Sequence, residues 1–199
     1  MWGCSTDILL PFFIANFSRD HLDCGVATGY FPAKSLSQPY RKGTKQELAL
    51  LDLTSAPLLS AQKRIEDSGA DVTVSIVEAD VTLPFPTSLH GKKFLSISMF
   101  NLFHCIPGGK SKFAGFANAR QILADDGVLY GCTILGQSET RSAISRLYMS
   151  WYNYRWKVFH NWDDRREDVE AALHEQFEQV ETCVQGSMLL FRATCPRRF

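Results

Sequence analysis

The sequence predicts an α/β fold: a doubly wound, mainly parallel, seven-stranded sheet with an antiparallel C-terminal hairpin. Three observations carry this prediction. From residue 20 to 135, short apolar runs alternate with helix-forming stretches, the pattern of successive β/α units. "ELALLDL" (47–53) is apolar almost throughout, as a strand buried on both faces should be. Near the C-terminus, "VETCVQ" (180–185) and "MLLFRATC" (188–195) are separated only by Gly186 and Ser187, too short a link for a parallel crossover.

The elements follow in order. "DILLPFFIANF" is broken by Pro11 and has no basic run before it, which argues against a signal peptide. "DHLDCGV" (20–26) is the first strand, and "FPAKSLSQ" (31–38) a short helix that tolerates Pro32 in its first turn. After the second strand, Thr54 or Ser55 can cap a helix whose buried side would use Leu58, Leu59 and Ile65. The β-branched run "VTVSIVEAD" (72–80) is the third strand and "KFLSISMF" (93–100) the fourth. Phe113, Phe116, Ala117 and Leu123 share helical spacing in a stretch closed by Asp125-Asp126-Gly127, and "GVLYGCTIL" (127–135) is the fifth strand. A helix with Val169, Ala172, Leu173 and Phe177 on one face precedes the hairpin. The pattern is five β/α units, a helix and a hairpin in one domain, 1–199, with a long aromatic-rich cap insert at 136–166.

Ligands of such a sheet sit beyond the carboxyl ends of the strands, where strand order reverses. The turn after the first strand, "LDCGVATGYF", lies there. Gly25 and Gly29 let backbone approach a ligand closely. Asp23 ends the first strand, Asp52 the second and Asp80 the third. Such carboxylates can meet, in turn, an ammonium, a pair of ribose hydroxyls and an adenine amino group. A lone glycine pair is usually just a turn, and a lone strand-end Asp usually a helix cap. Three acids on three successive strand ends point together to a nucleoside-like ligand. A nicotinamide cofactor is disfavoured, because its loop wants G-x-G-x-x-G and the spacing here is Gly25-x-Ala27-x-Gly29.

On these residues the chain resembles the class I S-adenosylmethionine (SAM)-dependent methyltransferases, with a Rossmann-like fold. "LDCGVATGYF" resembles that family's first motif, "LALLDLT" the second, "VEADVTLPFP" the third, "FLSISMFNLFHCIPGG" the fourth and "ILADDGVLYGCTILG" the strand after it. The resemblance covers roughly residues 20–195 and is closest to small members carrying "LHCLPG" and "YN…F.N..D", here "FHCIPGG" and "YNYRWKVFHNWDD". It implies SAM as cofactor. Gly25, Ala27 and Gly29, supported by Asp23, would hold its amino-acid end. Asp52 and Leu53 would meet the ribose and adenine face, and Asp80 and Val81 the adenine edge. Phe100 and His104 would sit beside the sulfonium and the acceptor.

Three departures matter. Ala27 stands where the family has glycine, adding a methyl to the ligand's approach. Leu95 stands where an acid is frequent. "WGCST" (2–6) resembles a segment that in relatives follows an N-terminal helix over the site, so the chain is expected either to start late or to work with an open site.

Methyl transfer from a sulfonium is an in-line displacement that needs positioning, and a base only for a protonated acceptor. His104, just past the fourth strand, is the candidate base; the competing reading is a hydrogen-bonded structural histidine. Tyr148, Tyr152 and Asn153 are the candidate substrate-facing groups of the insert, set against a simple packed cap. No metal site is expected. Two alternatives stay open: a related enzyme that has lost methyl transfer for a cyclisation, dehydration or pericyclic step, and a non-catalytic partner subunit.

The 21 Lys+Arg balance 21 Asp+Glu, so no global field favours nucleic acid or an anionic membrane. A small-molecule, biosynthetic acceptor is the expected partner, with an oligomer left open. The six cysteines show no metal-ligand spacing and read as reduced core residues of a cytoplasmic protein.

Overall fold

The computed structural model describes residues 2–41 and 45–198. Its strands are β1 Asp20–Cys24, β2 Gln46–Asp52, β3 Val72–Glu78, β4 Phe94–Phe100, β5 Leu123–Ile134, β6 Phe177–Gln185 and β7 Met188–Pro196. They form one seven-stranded sheet in the order β3-β2-β1-β4-β5-β7-β6. The first five strands run parallel; β7 is antiparallel to both β5 and β6. Chain order reverses between β1 and β4, which creates the crevice where such sheets bind ligands.

Helices cover both faces. On one lie α1 (Thr6–Asn16), α2 (Tyr30–Leu36) and α3 (Ser55–Glu66), packed through Leu9, Phe13, Ala33, Leu36, Leu58, Ala61 and Ile65, with Phe17 just after α1. On the other lie α4 (Ala114–Ile122) and α6 (Arg166–Gln176), through Phe116, Ala119, Ile122, Val169 and Leu173. The insert 136–166 holds α5 (Ala143–Ser150), continued by a π-helical turn, Trp151–Arg155.

Four local expectations need correction. The run containing Pro11 is a helix, α1: it packs Phe13 against Phe31, Phe100 and Tyr130, and this burial outweighs the proline. No α-helix connects β3 to β4 among the described residues, only one turn at Thr87–Leu89. Pro84 and Pro86 remove two backbone donors there, and Phe85 and Leu89 fill the core instead. Leu59 faces solvent at 57% exposure and Ala61 takes the buried place; Thr54 is the N-cap of α3 but its side chain makes no cap hydrogen bond. Asp125-Asp126-Gly127 is not a stop before β5 but a bulge within it, extruded between the pairs Phe94↔Leu123 and Ser96↔Val128.

The tight hairpin link is as expected, with Gly186 at φ +64°. It also receives the N-terminus: Ser187 N–H donates to the Trp2 carbonyl at 2.8 Å, and a Cβ on Gly186 would lie 2.4 Å from that oxygen. All six cysteines are free, but only Cys24 and Cys132 are buried; Cys105 and Cys183 are exposed.

Candidate functional site

The carboxyl ends of β1, β2 and β4 and the loop after β3 surround a two-lobed cleft. The outer lobe, about 430 Å³, is lined by Asp52 and Leu53 from the end of β2, by Ala79 to Thr82 after β3, and by Leu102, Cys105, Ile106 and Pro107 after β4. The inner lobe, about 130 Å³, is lined by Asp23, Thr28, Tyr30, Phe31 and Phe100. Gly25, Ala27 and Asn101 belong to both and form the waist between them.

Backbone conformation explains the waist. Gly25 has φ +75°, and a Cβ there would come within 2.7 Å of Leu102 Cδ1. Ala27 (φ +46°) and Asn101 (φ +54°) also adopt the left-handed region. Asparagine tolerates it through local hydrogen bonding, whereas alanine has no such compensation. Gly29 (φ +66°) serves packing rather than the ligand. It lines neither lobe, and a Cβ on it would meet the Ala61 backbone of α3 at 2.8 Å. The missing side chain brings α3 close to the turn.

Each acid is held differently. Asp80 Oδ1 accepts from Thr82 N (2.8 Å) and Thr82 Oγ1 (2.7 Å), which fixes the carboxylate at the outer lobe. Its loop is pinned in turn by Asn118 of α4, whose Nδ2 donates to the carbonyls of Val81 (2.9 Å) and Leu83 (2.7 Å). Asp52 ends β2 in register with Glu78 and faces the same lobe. Asp23 lies buried at the inner lobe and accepts a hydrogen bond from Ser98. Burial pushes its carboxyl up to about 7, against the lowering Ser98 bond and with help from the charge of Asp52.

Asp23, Gly25, Ala27, Asp52, Leu53, Asp80, Val81 and Phe100 thus meet around one cleft. His104 does not join them. It is buried, its Nδ1 accepts from Ile134 N at 3.4 Å, and its ring packs edge-on to Phe159 at 4.6 Å. Burial, aided by the charge of Lys112, holds its pKa down to about 3, so it stays neutral. The structural reading of His104 therefore replaces that of a base in the cleft.

The insert residues are also structural or turned away. Asn153 spends its amide on Met149 O (2.9 Å), Asn161 Oδ1 (3.1 Å) and Asn161 N (3.2 Å). Asn161 Nδ2 continues to the carbonyls of Ile134 (2.9 Å) and Leu135 (3.3 Å), and Lys112 Nζ reaches Asp164 at 2.5 Å in a buried pair. This latch ties the insert to the end of β5. Tyr152 stacks on Phe159 at 4.6 Å, and Tyr148 is part of an exposed face with Leu147 and Trp151. None of the three lines either lobe.

Asn101, Leu102 and Ile106 are cleft residues that the sequence reading did not single out. The one available signal was an asparagine directly after an apolar strand, a residue type suited to a left-handed turn. Among the described residues no three His, Cys, Asp or Glu side chains form a metal-binding group.

Known proteins resemble this chain in both sequence and fold. No family model matches the chain. O-methyltransferase NEC2 of Pyricularia oryzae is 42% identical over 223 residues, covering 100% of this chain and 84% of the relative. Methyltransferase verB of Penicillium polonicum is 38% identical, over 98% of this chain and 87% of its own length. Among solved structures, the N-methyltransferase NodS of Bradyrhizobium japonicum, in complex with S-adenosyl-L-homocysteine, superposes with a TM-score of 0.61 at 18% identity, covering 89% of this chain and 78% of that one.

Proposed function

The chain belongs to the class I SAM-dependent methyltransferases, and from that premise we propose that it methylates a small biosynthetic molecule, with SAM held in the two-lobed cleft. The observation that carries this reading is the convergence of Asp23, Asp52 and Asp80, from three successive strands, on one cleft with an apolar wall. In this assignment Asp52 binds the ribose hydroxyls, Leu53 and Ile106 sandwich the adenine, and Asp80 with Val81 meets its edge. Asp23 and the Gly25–Ala27 backbone take the amino-acid end. Phe100 packs beside the reacting carbon and keeps water from it.

SAM supplies, when bound, a methyl group on a sulfonium, open to in-line displacement. The chain's own residues align donor and acceptor, an effect of about 7–11 kcal/mol in the best cases. They also surround a cationic ligand with carboxylates in a partly dry cleft, where charge interactions are stronger than in water. The cleft also carries the Cys105 thiol and the Tyr30 hydroxyl, and an acceptor that ionises readily, such as an enolic or phenolic hydroxyl, needs neither as a base. The 42% identical relative, an O-methyltransferase, favours oxygen as the acceptor atom. The reading sets the enzyme in the cytoplasm with a freely diffusing substrate, supported by its balanced charge and its free cysteines.

The test is Asp52→Ala. Loss of a charged hydrogen-bond acceptor should weaken SAM binding by roughly 10- to 100-fold in calorimetry. Unchanged affinity would show that the ribose is held elsewhere.

A further inference from the structure

A continuous line of buried hydrogen bonds leads away from the cleft. Ser98 Oγ donates to Asp23 and lies 2.9 Å from His21 Nε2. His21 Nδ1 lies 2.6 Å from Ser96 Oγ, which lies 2.7 Å from Ser18 Oγ and accepts from Ser18 N at 2.9 Å. Parallel register builds the line: His21 pairs with Ser96 and Asp23 with Ser98, and residues two apart on a strand share a face. Asp23, His21, Ser96 and Ser98 are all buried; Ser18 is half-buried just before β1, at the amino ends of the strands.

Counting hydrogens couples the two ends. Ser98 has one hydroxyl hydrogen and two neighbours able to accept it. If Asp23 is ionised, Ser98 donates to it, so His21 must carry its hydrogen on Nε2 and donate to Ser98. Nδ1 is then bare and accepts from Ser96. If Asp23 is protonated, it donates to Ser98 and Ser98 donates to a bare Nε2. The imidazole hydrogen then sits on Nδ1 and points to Ser96, and Ser18 donates to the Asp20 carbonyl at 3.1 Å. Burial and the charge of Arg41 keep His21 well below its ordinary pKa, so the imidazolium is not a third state. The other groups facing the pair are Asp52 and Cys24 at the strand ends and the Tyr130 hydroxyl from β5; α1 contributes the ring of Phe13, and its C-cap residue the ring of Phe17.

We propose that His21 is a positioning residue for the cofactor's amino-acid end: acting through Ser98, its tautomer is locked to the protonation of Asp23, and docking of the ligand ammonium on Asp23 switches it from Nδ1–H to Nε2–H. The inference rests on the assignment of Asp23 to that ammonium. The hydrogens balance. The Asp23 hydrogen passes to Ser98, that of Ser98 to His21 Nε2, that of Nδ1 to Ser96, that of Ser96 to Ser18, and Ser18 gives one proton to solvent. Asp23 alone changes charge. The proton leaves at the amino ends of the strands, away from the lobe that the ligand fills.

The test is SAM affinity measured by calorimetry from pH 5.5 to 8.5. Wild-type affinity should rise by about tenfold per pH unit below a midpoint near neutrality, level off above it, and decline again only where the ligand's own α-amino group, ordinarily near 8, loses its proton. Ser98→Ala removes the donor that favours ionised Asp23, so its midpoint moves up. His21→Phe removes Nε2, the acceptor to which Ser98 turns when Asp23 is protonated, so its midpoint moves down. Nitrogen-15 NMR of His21 in the wild-type protein, recorded about one pH unit below the Asp23 midpoint, needs no variant to fold: addition of SAM should move the protonated nitrogen from Nδ1 to Nε2. An unchanged tautomer, or variants that weaken binding equally at every pH, would overturn the relay. Absence of wild-type SAM binding at every pH would instead overturn the cofactor assignment on which it rests.

Discussion

Ala27 sits at the waist of the cleft with φ +46°, a conformation in which an L side chain is strained by roughly 1–2 kcal/mol. Its methyl is exposed toward both lobes. Ala27→Gly should therefore raise stability by about 0.5–1 kcal/mol and leave SAM binding equal or tighter, checked by thermal unfolding and titration. At this scale the sequence was partly legible. The three strand-end acids and Gly25 could be read because a strand end fixes where its residue emerges. The role of Gly29 could not, since its reason is the backbone of α3, 32 positions away in sequence at Ala61. His104 had the right place in the chain but not the right direction: a turn at Phe103–Cys105 aims its ring into the core, against Phe159.

This histidine makes a separate prediction about pH. A histidine kept neutral in the fold, but titrating near 6.5 when unfolded, supports the fold above pH 6.5 and loses that support as the pH falls. His104 and His21 both act in this direction, over a window that reaches down to about 3 for His104. Asp23 acts oppositely: with its carboxyl raised to about 7, its contribution is present at low pH and declines as the pH rises from about 4 to 7. Asp164, whose carboxyl burial also raises, acts with Asp23, so the histidine contribution is read by comparing a variant with the wild type. His104→Gln keeps an acceptor for Ile134 N–H but cannot titrate, so its unfolding temperature should fall less steeply between pH 6.5 and 4. Equal slopes would mean that His104 is not kept neutral in the fold.

Among the elements, the strands were the most legible, because β-branched and continuous apolar runs fit only a covered sheet. The connection from β3 to β4 was not, since alternation suggests a helix and two prolines with a buried Phe85 supply a plug instead. The insert was legible as aromatic and long, but not as a latched element. Its polar anchors, Asn153, Asn161 and the buried Lys112–Asp164 pair, join residues 48 or more apart between Lys112 and the insert. Removing one member of a buried ion pair leaves the other charge without a partner, at a cost of about 3–5 kcal/mol. Lys112→Met should therefore lower urea stability by that amount, and the double change Lys112→Met with Asp164→Leu should recover much of it. A Lys112→Met protein as stable as the wild type would show that the latch contributes nothing.

For the whole molecule, the sheet order β3-β2-β1-β4-β5-β7-β6 brings the ends of β1, β2 and β4 together at the switch between β1 and β4, where the order of the parallel strands reverses. That geometry makes a set of separate sequence signals into a single cleft. The central claim is that the cleft takes SAM. Titration of the purified protein with SAM and with S-adenosylhomocysteine tests it most directly. Saturable one-to-one binding of both, weakened by Asp52→Ala, is the predicted result. No measurable binding of either at millimolar concentration would contradict it.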